Sequence, residues 1–207
     1  MASSLWSVDA QVIARPARTF RHLAARLPAP GIWTLLRRPL LVGVVLCYGI
    51  SMLTAGTVTA RLVVGAVLTW FYVPVIEVLG LWLVSWRTRD RPPMSVTIDA
   101  FFVGRAPVTL FMLLLSATLA SLPPDLRWWT LTRPALSLAI LVFAWSVYVD
   151  VCFFRYVMHQ TKSRAVRRAI GFRLFTWTMV CGIFAMGSYT PLNIPSEFAD
   201  AVREVLQ

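Results

Sequence analysis

The stretch Pro39–Ala60, PLLVGVVLCYGISMLTAGTVTA, carries no charged side chain from end to end. About 20 apolar residues cross the hydrocarbon core of a bilayer as a helix, so this run alone predicts a membrane span. The pattern recurs downstream. After the lone Arg61, Leu62–Trp86 is interrupted only by Pro74 and Glu77. Pro107–Leu122, Ala135–Phe154 with its Asp150, and Gly171–Pro191 with Arg173 near its start supply three more. Ser95–Arg105 is too short and too charged to cross by itself. The expected fold class is all-α, a polytopic membrane helix bundle with five transmembrane helices.

Composition agrees with this expectation. Of the 207 residues 58% are hydrophobic and 14% charged, against roughly 25% charged in an ordinary soluble domain. Mean hydropathy is +0.69, yet the net charge is +11. A globule of this size cannot hide so much apolar surface, and a strongly basic chain with so few acids is not typical of a soluble enzyme. The cations are 19 Arg and the single Lys162, a bias that suggests a GC-rich coding sequence and hence a bacterium; the expected location of a multi-span protein there is the inner membrane. With the N-terminus inside, 16 of the 20 fall on cytoplasmic segments, and only Arg61, Arg127, Arg133 and Arg203 fall outside. The positive-inside rule therefore predicts N-in, C-out. Trp33, Trp82, Trp86, Trp128 and Trp129 fall near span ends, as an aromatic belt requires.

Three regions follow. Residues 1–38 form a cytoplasmic N-terminal segment, 39–191 the transmembrane domain, and 192–207 a C-terminal segment on the outer side. Pro16–Leu27 predicts an amphipathic helix, with Phe20, Leu23 and Leu27 on one face and Arg18, His22 and Arg26 elsewhere around it. Arg18, Arg21 and Arg26 are its candidate contacts to anionic lipid head groups. Ser196 is a plausible N-cap for a terminal amphipathic helix whose apolar stripe is Phe198, Ala201, Val202, Val205 and Leu206.

Ionisable residues within spans are costly and are the first functional candidates. Glu77 and Asp150 each lie about 15 residues into an inward-running span, so the 1.5 Å helical rise gives them similar depths. Arg105 and Arg173 open the third and fifth spans from that side, and Asp99 precedes Arg105. Glu77, Asp99, Arg105, Asp150 and Arg173 thus form a candidate charge network. In one reading the carboxylates line a polar cavity and handle protons, cations or a head group. In the other, and favoured, reading they pair with the arginines and lock helix order.

Catalytic signatures are missing. The chain has no GxSxG, HExxH or P-loop, and no CxxC or Cys/His spacing for zinc. Cys47, Cys152 and Cys181 all lie in apolar spans. No cofactor or metal is expected. The basic stretch Arg155–Arg168 follows a span and serves as a topology signal, so no nucleic-acid partner is expected. Ser51 with Ala55 and Ser116 with Ala120 offer small-residue spacing for close helix contact.

The opening Arg15-Pro16-Ala17-Arg18-Thr19-Phe20 holds a Pro-x-x-Thr-Phe pattern ahead of a short amphipathic helix. Trp145 in the fourth span is followed by the basic Ser163-Arg164-Ala165, and the third span is entered through Phe102-Val103-Gly104-Arg105-Ala106-Pro107. On these residues the chain, from about 8 to 190, resembles the Yip-domain family of five-span membrane proteins in its bacterial form. Eukaryotic members act in membrane trafficking and with Rab GTPases. The segment ahead of the first span, Met1–Arg38, is short against their long cytoplasmic tails, so no GTPase contact, catalytic residue or ligand residue is carried over. The expected function is that of a non-enzymatic accessory, scaffold or assembly subunit, partnered by the bilayer, anionic head groups and other integral membrane subunits. A small transporter or channel subunit using Glu77 and Asp150 is the alternative, and a lipid-modifying enzyme ranks last.

Overall fold

The computed structural model of the chain describes residues 5–25, 31–55, 71–86, 92–121 and 124–189. Among them there is no strand. The elements are α1 (Leu5–Ala14), α2 (Pro16–Ala25), α3 (Ile32–Ala55), α4 (Tyr72–Ser85), α5 (Met94–Val103), α6 (Ala106–Ser121), α7 (Pro124–Tyr156) and α8 (Lys162–Tyr189). The expected outer helix over 192–207 lies outside the described residues, as do 56–70 between the first two expected spans.

Proline chemistry sets the breaks. Pro16 lacks the N–H that would continue α1, so it opens α2 at a first-turn position that tolerates it. Arg15 is shared between the two helices: its N–H bonds the Gln11 carbonyl at 2.8 Å and its own carbonyl accepts the Thr19 N–H at 3.1 Å. Pro107 does the same between α5 and α6. It cannot donate to the Val103 carbonyl, and its ring crowds that carbonyl. The chain turns instead through Gly104 and Arg105, whose N–H groups bond Phe101 O at 2.9 Å and Phe102 O at 3.1 Å. The two helices are bent by 46°.

The helices overrun the expected segments. α3 begins seven residues before Pro39, so Arg37 and Arg38 are helical rather than loop residues. α8 begins at Lys162, nine residues before Gly171. The basic stretch thus continues the last helix, with Ala165 and Ala169 fully buried. Leu5–Ala14 forms a helix that the apolar pattern does not announce.

Among the described residues two helices, over Ile32–Gly49 and Pro134–Tyr156, are long and apolar enough to cross a membrane, three if the bent α5–α6 pair is one span. α4 is apolar but only 14 residues long. α8 concentrates its cations in its first turns and is free of charge from Leu174 to Tyr189. Leu136, Ile140 and Leu141 of α7 and Leu174 of α8 are largely exposed, as are Val44, Leu79 and Leu83 on α3 and α4.

α3 packs on α6, α6 on α7, α7 on α8, α8 on α4, and α4 back on α3. These five helices therefore close a ring. α5 lies beside α3, α1 against α5 and α6, and α2 along α7. The buried core gathers where α2, α5, the end of α7 and the start of α8 meet. Phe101 stands edge-on to Phe153 at 5.3 Å and to Phe172 at 5.0 Å, and Phe20 of α2 reaches Phe153 at 6.0 Å. The amphipathic helix thus docks by Phe20, which is fully buried, and partly by Leu23. Leu27 lies outside the described residues.

The α4–α8 contact is tight. A Cβ on Gly80 would lie 3.1 Å from Phe175 Cδ1, 3.1 Å from Thr176 Cγ2 and 3.2 Å from Phe172 Cε2. Gly80→Leu is expected to push these helices apart and to cost on the order of 1–3 kcal/mol by overpacking. Gly80→Ala should cost less. A thermal midpoint for Gly80→Leu equal to that of the parent protein would mean that this contact is slack.

α7 ends on a left-handed residue. His159 has φ +50°, and the Gln160 N–H bonds the Arg155 carbonyl at 3.2 Å, the 6→1 bond of a Schellman cap. Glycine adopts this conformation without a Cβ penalty. His159→Gly is therefore expected to stabilise the protein by about 1 kcal/mol. A lower thermal midpoint would assign the imidazole a holding role in this turn.

Candidate functional site

Two clusters of arginine and carboxylate occupy the same end of the bundle. In the first, the helical break matters most. Because Arg105 sits in the turn between α5 and α6, its side chain reaches both α4 and α7. Its Nη2 is 2.8 Å and its Nε 3.2 Å from the two Glu77 oxygens, and its Nη1 is 3.4 Å from Asp150 Oδ1. Arg173 of α8 holds the other Asp150 oxygen, Nε to Oδ2 at 2.6 Å, and its Nη2 donates to Ser146 Oγ at 3.1 Å. Ser146 and Asp150 are four residues apart and share one face of α7, which lets one guanidinium serve both. The Arg105 guanidinium lies 4.4 Å from the Phe101 ring centre, a cation–π contact within the aromatic core. Arg105 and Asp150 are buried, and Glu77 nearly so. Two carboxylates meet two guanidinium groups, so the cluster is neutral.

The second cluster joins α1, α3 and α5. Arg37 grips Asp99 with both prongs, Nε to Oδ1 and Nη2 to Oδ2, each at 2.7 Å. Arg38 Nε lies 3.2 Å from Asp99 Oδ1, and its Nη1 donates to Asp9 Oδ1 at 2.6 Å. Burial pushes the Asp9 carboxyl above its ordinary value, against the opposing pull of Arg38. Two further contacts fasten the N-terminal helices to α7. Trp145 Nε1 donates to the Ile13 carbonyl at 3.1 Å, and Arg21 Nη2 donates to the Tyr156 hydroxyl at 2.8 Å.

The expected network therefore divides. Glu77, Arg105, Asp150 and Arg173 come together, while Asp99 turns to Arg37 and Arg38 instead of Arg105. Asp9, Arg37, Arg38 and Ser146 are partners outside the expected set. One signal for Asp9 is present in the sequence: it is the only acid ahead of Glu77, and the cations Arg15, Arg18 and Arg21 follow it. Of the candidate head-group contacts, Arg21 is held on Tyr156, Arg18 lines an open cleft between α1 and α2, and Arg26 lies outside the described residues. Among the described residues no three His, Cys, Asp or Glu converge on a common point for a metal, and Cys47, Cys152 and Cys181 form no disulfide.

Chemically, both clusters favour holding over transfer. A guanidinium stays protonated and cannot relay a proton. Asp9, Glu77, Asp99 and Asp150, the carboxylates whose side chains are described, each face at least one arginine. Comparison of the chain with protein-family models, with curated proteins and with solved structures finds no match.

Proposed function

We propose that this chain is a non-enzymatic integral membrane protein, an accessory, scaffold or assembly subunit of a larger membrane complex. Its resemblance to bacterial Yip-domain proteins and its charge distribution favour five spans, N-in and C-out, in a bacterial inner membrane. One observation carries the functional reading: Asp9, Glu77, Asp99 and Asp150 are all engaged by arginine. Buried charges arranged as closed pairs resist rearrangement, because separating them exposes uncompensated charge. A locked bundle with a broad apolar exterior suits a structural member that neighbours can pack against. The exposed cations on α2 suit anionic head groups on the cytoplasmic side.

The test is photo-crosslinking in native membranes, with the probe at Leu136 or Ile140 on the exposed apolar side of α7, followed by mass spectrometry. A discrete protein adduct is the expected result. Adducts to lipid alone, together with purification as an isolated chain, would overturn the subunit reading.

A transporter reading draws on one observation, the break that sets Arg105 between Glu77 and Asp150. Discontinuous helices line the substrate sites of many carriers. Proton- or cation-dependent flux in liposomes, abolished by Glu77→Gln, would replace the subunit reading with this one.

A further inference from the structure

Asp9, the sole acid ahead of Glu77, is turned toward Arg38 on α3. It therefore leaves the arginines of α2 without a carboxylate from their own region. Arg15, Arg18 and His22 follow one another at helical spacing, so they share a face. That face is opposite in role to the one carrying Phe20, which is sunk against Phe153. Together with Ala10, Gln11 and Ala14 of α1 the three side chains line a cleft of about 480 Å³. The two alanines leave space, Gln11 adds an amide that can donate, and among the described residues no carboxylate lines the cleft. Among the described residues no carboxylate pairs with Arg15, Arg18 or His22.

Solvated arginines on a convex helix would carry no such meaning. Here the two walls are fixed to the bundle independently of the cleft. α1 is tied by the Asp9–Arg38 pair and by Trp145 on the Ile13 carbonyl, and α2 is tied by Phe20 and by Arg21 on Tyr156. The concavity therefore exists without a ligand, which lowers the ordering cost of filling it. Guanidinium forks match the oxygens of a phosphate in both geometry and charge. Its walls are held on α7 at Trp145 and at Tyr156, and the charge distribution assigns the Tyr156 end to the cytoplasmic head-group layer.

We propose that the α1–α2 cleft binds a phosphate group through Arg15, Arg18 and His22. Two sources offer that chemistry, the head group of an anionic phospholipid and a free phosphate. The proposal rests on the membrane reading above for the first source only.

The experiment uses the full chain in two arms. In the first, nanodiscs of phosphatidylcholine with or without phosphatidylglycerol are compared, counting retained anionic lipid by native mass spectrometry. In the second, inorganic phosphate is titrated against the protein in neutral detergent. Each arm is run on the parent protein, on Arg15→Gln/Arg18→Gln/His22→Gln, and on Ala14→Leu, which fills the cleft without changing charge. Arg164→Gln/Arg167→Gln on exposed turns of α8 is the control for general charge. About a five-fold loss of binding is expected for each arginine removed from the cleft, with a loss in Ala14→Leu and little change in the control. Selective loss in the lipid arm identifies the head group, and selective loss in the phosphate arm identifies the free anion. Binding unchanged in the cleft variants, or lowered as much in the control, would overturn the proposal. Release of the chain from membranes by alkaline carbonate would defeat the membrane reading while leaving the phosphate arm to report on the site.

Discussion

Arg105→Met is expected to be the most damaging single substitution in the chain, lowering stability by about 3–5 kcal/mol. Methionine fills similar space beside Phe101, so the loss is mainly electrostatic. Glu77 would keep no cationic partner, and Asp150 would keep only Arg173. Removing one member of a buried pair is far worse than removing both, because the remaining charge stays desolvated. The double variant Glu77→Gln/Arg105→Met should therefore recover most of the loss, since Asp150 and Arg173 still neutralise each other. Arg105→Lys should rescue poorly. A single ammonium cannot reproduce a fork that addresses carboxylates on two different helices. Thermal unfolding in detergent micelles checks the series. An Arg105→Met midpoint within a degree or two of the parent would refute the bracing role of this side chain.

The second large effect is expected at Asp99. Asp99→Asn removes the charge from a carboxylate that serves Arg37 on both oxygens and Arg38 on one. The loss should again be about 3 kcal/mol, and it should appear first as protease access to α1, because Arg38 links Asp99 to that helix. Asp9→Asn offers a contrast on the same arginine. Burial raises the Asp9 carboxyl above its ordinary value of 3.8. A raised carboxyl favours the folded state when protonated. Its contribution is complete below the ordinary value and is lost as pH rises through the folded one. Asparagine, which carries no charge to bury, should be tolerated within about 1 kcal/mol while Asp99 still holds Arg38. The asparagine variant should also lose the parent's decline in stability as pH rises from about 3.8. A larger loss for Asp9→Asn than for Asp99→Asn at pH 7 would reverse this ranking.

The common depth of Glu77, Asp150, Arg105 and Arg173 is legible in the sequence, because helical rise converts residue number into height. Which acid meets which arginine is not. Asp99 shares their layer, but the 46° bend at Gly104–Arg105 directs α5 toward α3 and hands Asp99 to Arg37 and Arg38. A proline at 107 warns of a break without giving its direction. Helix ends are hard to place for a related reason. Counting charges marks where an apolar run ends, yet a helix need not stop there, and α8 starts ahead of its apolar run because Ala165 and Ala169 have a core to pack on. α1 escapes the apolar pattern because Asp9 and Gln11 interrupt it, and Asp9 becomes acceptable only once Arg38 stands beside it.

The four-charge cluster also has an order in time. Glu77 and Arg105 are 28 residues apart, and Asp150 and Arg173 are 23 apart. Each interval spans one helix-to-helix return, so each half of the cluster is a self-cancelling couple made from consecutive segments. Synthesis from the N-terminus delivers first one couple and then the other, and no intermediate length beyond Arg105 must wait for the C-terminus to shelter Glu77. The later couple, Asp150 with Arg173, likewise brings its own countercharge.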